Sequence, residues 1–346
     1  MLKPQTTWRD EDHYLKLIND PWYKVIIEIE NLINLYTPQF YQEKGIKTLH
    51  LPVTTGTISS PMGLGSDSKP VKINLFGVET YLVDSMQFML EYGCRLFKNG
   101  SYYIMPSFRG EKADKRHLCQ FYHSEAEIPG NLNDVMSLVE EYLKYLCEKI
   151  LAELSDEVKQ VAGDISHIEK MIKKCGKIPE LEFDEAAKIL KNDPQYIEQL
   201  DGYRNITREG EKEILKKMDG VVWIKNYDYI SVPFYQKFNE NKTKALNADL
   251  LFGIGEVIGA GERHKNINEL RESLQLHNVD EKDYEWYCRM KEEYPMQTSG
   301  FGMGIERFML WVLKHDDIRD CQILSRFNGK NMIPWWRKYE RSIRIF

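Results

Sequence analysis

Strand-like stretches lie on both sides of a highly charged block, residues 155–220, with no regular alternation of strand and helix along the chain. A doubly wound parallel sheet needs that alternation. Its lack predicts an α+β architecture: a mainly antiparallel sheet flanked by helices, with the charged block as a helical insertion. The strand-like segments are Ile46–Val53, several between residues 71 and 128, Val221–Ile224, Tyr229–Val232 and Asp249–Ile258. Apolar residues at helical spacing predict helices over Trp22–Leu35, Leu132–Leu154 and Ile305–Leu313. Pro38 should end or kink the first of these. Gly176, Pro179 and Asn192–Pro194 mark breaks within the charged block.

A chain of 346 residues with 42% hydrophobic content can bury a full-sized core. We read an N-terminal arm (residues 1–21), one large domain (22–330) and a basic, aromatic tail (331–346). The tail holds Arg337, Lys338, Arg341 and Arg344 beside Trp335 and Trp336, which suits RNA or packing against a second copy. No apolar run is long enough to span a membrane, and no leader pattern opens the chain, so a cytoplasmic protein without membrane contact is expected. The six cysteines form no CxxC pair and read as free thiols. A net charge of −6 argues against binding nucleic acid through the whole surface, while leaving room for a local patch. Residues 54–70, rich in Gly, Ser, Thr and Pro, form a long loop, either a lid or an ordinary surface excursion.

Four constellations carry chemistry. In the first, Phe108-Arg109-Gly110-Glu111 is followed by Arg116-His117 and Phe121, two strand-like segments joined by a basic turn. A strand-borne arginine can clamp a phosphate, a cationic turn can fold over a polyphosphate, and an aromatic can stack on a base. The plain alternative is an exposed hairpin with surface charges. In the second, Asp249 and Glu256 stand seven residues apart in an apolar context. Such carboxylates need a partner, either magnesium bridging nucleotide phosphates or nearby arginines. The third is Gly259-Ala260-Gly261-Glu262-Arg263, where glycines admit a ligand and Arg263 could anchor it. The fourth, Ser299 to Arg307, is a glycine-rich strand-to-helix turn. It puts a cation in a first helical turn, which an anion there would offset.

Taken in order, these pieces resemble the signature motifs of class II aminoacyl-tRNA synthetases. Gly45–Pro52 resembles the first motif, Phe108–Ile128 the second and Gly300–Phe308 the third. Pro233–Tyr235, Asn247–Arg263 and Ile318–Asp320 are similar to the asparaginyl and aspartyl types. The resemblance implies a six-stranded, mainly antiparallel sheet, a homodimer, and an ATP-dependent, AMP-forming ligase that uses Mg2+. By position it implies that Arg109 holds the α-phosphate and Glu111 contacts the adenine side. Arg116 and His117 would lie along the β,γ-phosphates. Phe121 would stack on one face of adenine, Arg307 would sit at the other face and at the γ-phosphate, and Asp249 and Glu256 would ligate magnesium. Arg109, Glu256 and Arg307 would carry the chemistry. Gln87 and Glu125 would hold the amino acid's α-amino group, and Arg263 its side-chain oxygen.

The sequence departs from that pattern in instructive places. Too few residues precede the first helix for the family's OB-fold anticodon domain, so any tRNA would be chosen without reading its anticodon. The loop after Pro52 lacks a glutamate, for which Asp67 could substitute, and Gln297-Thr298 replaces a usual Pro-His. Aspartyl-type enzymes carry a lysine three residues after the position of Gln87. Here Leu90 stands there, followed by Glu91, as in the asparaginyl type. This implies asparagine rather than aspartate as the amino acid, with Glu91 as a second anion accepting from the amide. The expected activity is activation of Asn (or Asp) as an acyl-adenylate and transfer to an acceptor not selected by anticodon. The alternatives are an asparagine synthetase using aspartate and ammonia, a truncated tRNA ligase, and a non-catalytic paralogue.

Overall fold

The computed structural model describes residues 1–10, 12–59 and 69–329. The expected tail (331–346) and Asp67 lie outside the described residues. We number the main-sheet strands and the longer helices in chain order. The strands are β1 (Lys47–Thr48), β2 (Ser101–Phe108), β3 (Gln120–Pro129), β4 (Glu180–Glu182), β5 (Val221–Lys225), β6 (Asn247–Phe252), β7 (Gly255–Glu262) and β8 (Thr298–Gly304). The helices are α1 (Pro21–Glu43), α2 (Gln87–Leu96), α3 (Leu132–Glu153), α4 (Ser155–Ala162), α5 (Ser166–Lys174), α6 (Phe183–Ile189), α7 (Arg208–Lys217), α8 (Ile267–Leu276), α9 (Glu285–Glu293) and α10 (Ile305–Val312).

The sheet order is β1-β2-β3-β8-β7-β6-β5-β4. From β2 to β5 every neighbouring pair is antiparallel, while β1 and β4 join the two edges in parallel. The sheet is therefore mixed and eight-stranded, not six-stranded. The edge strands are only two and three residues long, too short to show a period in sequence. Ile46–Val53 yields just β1, because the chain leaves the edge before Pro52, which has no N–H to give a ladder. Tyr229–Ser231 is a 3-10 turn rather than a strand. Asp249–Ile258 is a hairpin, turning at Gly253 with φ +62°. The 155–220 block is not helical throughout: four helices alternate with three short strands, one of which is β4.

Burial explains the longest elements. Asn131 caps α3 in a reciprocal pair with Asp134. The stripe Val135, Leu138, Val139, Tyr142, Leu143, Leu146 and Ile150 then packs α3 against α1 and one face of the sheet. Helix α1 runs on through Pro38 to Glu43, so of the expected end or kink the end does not occur. An interior proline costs about 3 kcal/mol. Just beyond it Phe40 and Tyr41 are buried, and Tyr41 stacks on Tyr102 of β2 with centroids 4.2 Å apart. Two such aromatics contribute roughly 1.5–3 kcal/mol each, which offsets the break.

The two faces of the sheet differ. On the α1/α3 side stand Tyr102, Ala126, Phe301, Ile258, Ala260 and Leu250. Among the described residues, helices cover the other face at its flanks. Helix α2 packs on one side, where Leu90 meets Tyr103 and Met105. On the other, α6 and α7 press Phe183, Ile214 and Leu215 onto Val222, Ile224 and Leu251. In the gap, glycine faces glycine: Gly259 pairs with Gly302 and Gly261 with Gly300. Among the described residues, no helix is long and apolar enough to cross a membrane, and all six cysteines are free.

Leu143 is fully buried in the α3 stripe. Leu143→Ala should lower unfolding free energy by about 2–5 kcal/mol through loss of contacts and an unfilled cavity, measured by urea titration.

Candidate active site

The glycine gap is the floor of a cavity of about 990 Å³. The floor depends on strand parity. Gly259 and Gly261 on β7, and Gly300, Gly302 and Gly304 on β8, are two residues apart, so they share one face. Glu125 and Glu127 of β3 sit opposite Gly302 and Gly300 and share it too. Glu256 is three residues from Gly259, so a regular strand would send it into the core. A β-bulge intervenes: Leu250 pairs with Ile258 but Leu251 pairs with Glu256. Val257 and Ile258 both enter the core, and Glu256 emerges beside Asp249 on the open face. A Cβ built on Gly259 would lie 3.2 Å from Glu256 Oε1 and 3.6 Å from Asp249 Oδ1, so the two carboxylates converge over that glycine.

One half of the cavity is strongly cationic. Arg109, at the end of β2, lies 5.6 Å above the ring of Phe121, and its Nε is buried without a protein partner. Arg307, in the first turn of α10, donates from Nη1 to the carbonyl of Glu256 at 2.9 Å and lies 3.6 Å from its carboxylate. Arg116 donates to Glu211 of α7 at 2.6 Å, which leaves its Nε and Nη1 buried and unpartnered. His117 faces Asp114 at 2.9 Å, and burial and then the nearby Arg307 hold its pKa below the usual histidine value. Glu111 accepts from the backbone N–H of Lys69 at 2.6 Å. Burial, then the neighbouring Glu256, holds the Asp249 carboxyl well above the usual carboxylate range. A divalent cation would relieve that repulsion. Among the described residues no set of three or more His, Cys, Asp or Glu forms a full metal cage. Two carboxylates completed by substrate oxygens is the arrangement magnesium favours.

The other half is enclosed and nearly neutral. Glu125 accepts from Ser85 at 2.6 Å and from the hydroxyl of Tyr103, and faces His123 at 3.1 Å. Burial alone would raise its pKa, but His123 and these hydrogen bonds hold it below the usual value, so it presents an anion. Arg263 is almost wholly buried, and each of its three nitrogens makes a hydrogen bond, which leaves two of its five N–H groups over. Its Nε and Nη2 donate to Glu127 at 3.1 Å, and Nη1 donates to Gln236 at 2.9 Å. Gln87 and Leu90 of α2 complete the wall.

Every residue expected at the site lines this cavity except Glu91. Glu91 is fully buried behind it, accepting from Gln87 and Tyr287 at 2.6 Å each and paired with Lys291, so it does not face the cavity. The reading of Glu91 as a ligand-facing anion is corrected accordingly: α9 supplies its counter-ion from beyond the motifs. Sequence reasoning missed Glu127, Gln236, Glu211 and Arg208. Glu127 could have been found, since it stands two residues from Glu125 on a strand. Glu211 and Arg208 had no signal, because they lie in the charged block and reach the site only through the fold.

The family model for class II tRNA synthetases (D, K and N) matches residues 5–328. The chain belongs to this family. Among curated relatives of this class II synthetase, the asparagine–tRNA ligase of Thermoplasma acidophilum is 28% identical over 86% of this chain and 67% of its own length. That of Mycoplasma genitalium is 32% identical over 73% of this chain and 59% of its own. The crystal structure of asparaginyl-tRNA synthetase from Pyrococcus horikoshii complexed with asparaginyl-adenylate superimposes with a TM-score of 0.83 at 25% identity, covering 93% of this chain and 72% of that one. The family makes the chain an AMP-forming ligase by descent.

Two outcomes test the site. Gly259→Ala puts a methyl between Asp249 and Glu256 without touching backbone. It should cut amino-acid-dependent ATP–pyrophosphate exchange at least about tenfold, one lost interaction of 1.4 kcal/mol or more, with the melting temperature nearly unchanged. The second concerns Glu306 of α10, whose carboxylate accepts from the Tyr122 N–H at 3.0 Å and so ties α10 to β3 beside Phe121. Burial pushes its pKa up to about 7. A carboxyl raised on folding keeps a proton that the unfolded chain releases near pH 4.5, so its contribution to stability falls as pH rises from about 4.5 to 7. Melting curves at pH 5 and 7 should show Glu306→Gln losing less stability across that interval than the unaltered protein.

Proposed function

We propose that this class II synthetase activates asparagine with ATP and Mg2+, forming asparaginyl-adenylate and pyrophosphate. The observation that carries the choice of amino acid is the Arg263–Glu127 pair. Among the described residues, the cation at the inner end of the enclosed half, Arg263, already has a carboxylate on it, at 3.1 Å and almost fully desolvated. A substrate carboxylate would enter a pocket with no free positive charge, whereas a neutral amide can exchange hydrogen bonds with Arg263 and Gln236. Leu90, in place of a lysine, keeps that wall uncharged. Asparagine–tRNA ligases among the relatives support the reading.

The reaction follows from the two halves. The substrate's α-carboxylate, oriented by Gln87 and Glu125 at its ammonium and Arg263 at its amide, attacks the α-phosphorus in line. The bond to the bridging oxygen of pyrophosphate breaks. Arg109 stabilises charge on the α-phosphoryl oxygens, and Arg116, His117 and Arg307 meet the departing phosphates. Asp249 and Glu256 would hold magnesium there, which would supply further positive charge beside the phosphates. With Phe121 beneath the adenine, catalysis is positioning and charge stabilisation.

We take the enzyme to be a homodimer through α1, whose Ile27 and Leu35 are about half exposed.

Asp249→Ala and Glu256→Ala should each abolish asparagine-dependent ATP–pyrophosphate exchange while circular dichroism stays native. Full exchange in both would remove the magnesium assignment. Calorimetric titration with a non-hydrolysable ATP analogue should show asparagine binding at least about tenfold more tightly than aspartate, the minimum for one unpaired buried charge. Tighter aspartate binding would instead favour an ammonia-using asparagine synthetase. Light scattering at micromolar concentration should give a dimer.

A further inference from the structure

Behind the amino-acid wall lies a buried polar chain outside the three family motifs. Lys291 of α9 and Glu91 of α2 are both fully buried and form an ion pair. Lys291 also donates to the carbonyl of His264 at 2.8 Å, the residue next to Arg263. Glu91 Oε1 accepts from Tyr287 and from Gln87 Nε2, each at 2.6 Å. Lys291 thus joins the two elements that flank the pocket: α2, which bears Gln87, and the end of β7, which leads into Arg263.

A buried ion pair is poor value as a stabiliser. Desolvating both charges costs several kcal/mol each, and an apolar pair of the same volume often serves as well. This one does something an apolar pair cannot. A glutamine amide has two chemically opposite ends of nearly equal shape. An ionised carboxylate can only accept, so Glu91 must take the Nε2 end of Gln87. The Oε1 end is then left over. That oxygen is buried and has no protein partner, and Gln87 is a residue of the cavity wall. Lys291 supplies the positive charge that pairs with the Glu91 carboxylate in the interior.

We propose that Lys291 and Glu91 are positioning residues for the amino-acid site, fixing the Gln87 amide so that its carbonyl oxygen faces the substrate's α-ammonium group. The assignment rests on the amino-acid-activating function and on Gln87 meeting the ammonium. The oxygen is an acceptor matched to an N–H donor, and beside the anion of Glu125 it completes a pocket for a primary ammonium. Glu91 and Lys291 act only through Gln87 and do not touch substrate.

The test compares asparagine with its des-amino analogue 3-carbamoylpropanoate, in the presence of a non-hydrolysable ATP analogue, on the full chain. In Glu91→Gln the residue at 91 can either accept or donate, so Gln87 is no longer held one way. Asparagine affinity should fall about tenfold or more, the affinity for 3-carbamoylpropanoate should stay within about twofold, and the ATP analogue should bind as before. An equal loss for both ligands, or no loss for either, overturns the proposal, because a merely structural pair would not distinguish the ammonium. If the single variant leaves Lys291 as an unpaired charge and unfolds, Glu91→Gln with Lys291→Met removes both charges, and the same ratio is read there. Should the unaltered protein bind another α-amino acid and not asparagine, the functional reading fails. The positioning role is then judged with that amino acid and its own des-amino analogue, since the ammonium is common to all.

Discussion

The site depends on a sheet whose two faces have opposite tasks. One face packs Phe301, Met303, Ile258 and Ala260 against α1 and α3 in the main core. The other must lie bare so that a nucleotide and an amino acid can rest on peptide groups. Strict alternation along β7 and β8 meets both demands, with apolar residues and glycines at successive positions. Where chemistry needs a carboxylate out of phase with that alternation, the bulge at Leu250/Leu251 supplies the missing step. Sequence spacing alone places Asp249 and Glu256 seven apart, and only the hairpin with its bulge makes them neighbours.

Charge is handled differently in the two halves. Around the expected polyphosphate, cations are left partly unsatisfied: Arg109 and Arg116 keep buried N–H groups with no protein acceptor. That arrangement is costly in the free protein and is relieved by an anionic ligand. Around the expected amino acid, charges come in closed pairs, Arg263 with Glu127 and Lys291 with Glu91. One half therefore attracts charge and the other screens by shape and hydrogen-bond direction.

Much of this was legible in the sequence, for reasons that particular residues make plain. The α3 stripe is long and strictly periodic, so the helix was readable almost to its ends. The β6–β7 region was readable as strand from its apolar and glycine positions, but as one segment, Asp249–Ile258, because the turn at Gly253 inside an apolar run gives no break in the pattern. Arg109, Asp249, Glu256 and Arg307 stand in motifs whose residue types already imply phosphate and metal chemistry. What escaped was set by contacts distant in sequence. Pro38 fails to stop α1 because Tyr41 finds Tyr102 across the sheet. Glu91 looked like a ligand-facing anion because Lys291, two hundred positions further on, shows no local sign of being its partner. The 155–220 block read as helical because the three residues of β4 become a strand only by pairing with β5.

The glycine floor also sets a limit on how stable such an enzyme can become. Each glycine in a strand forgoes side-chain packing and loses more chain entropy on folding than alanine does, of order 0.5–1 kcal/mol per position. Conventional stabilisation would begin by replacing them. Yet at Gly300 an added methyl would land on the carboxylate of Glu127, and at Gly261 on the side chain of Gln236, the two groups that hold Arg263. Thermal robustness in this scaffold has to be gained on the α1/α3 side of the sheet, because on the open side it trades directly against the space in which substrate binds.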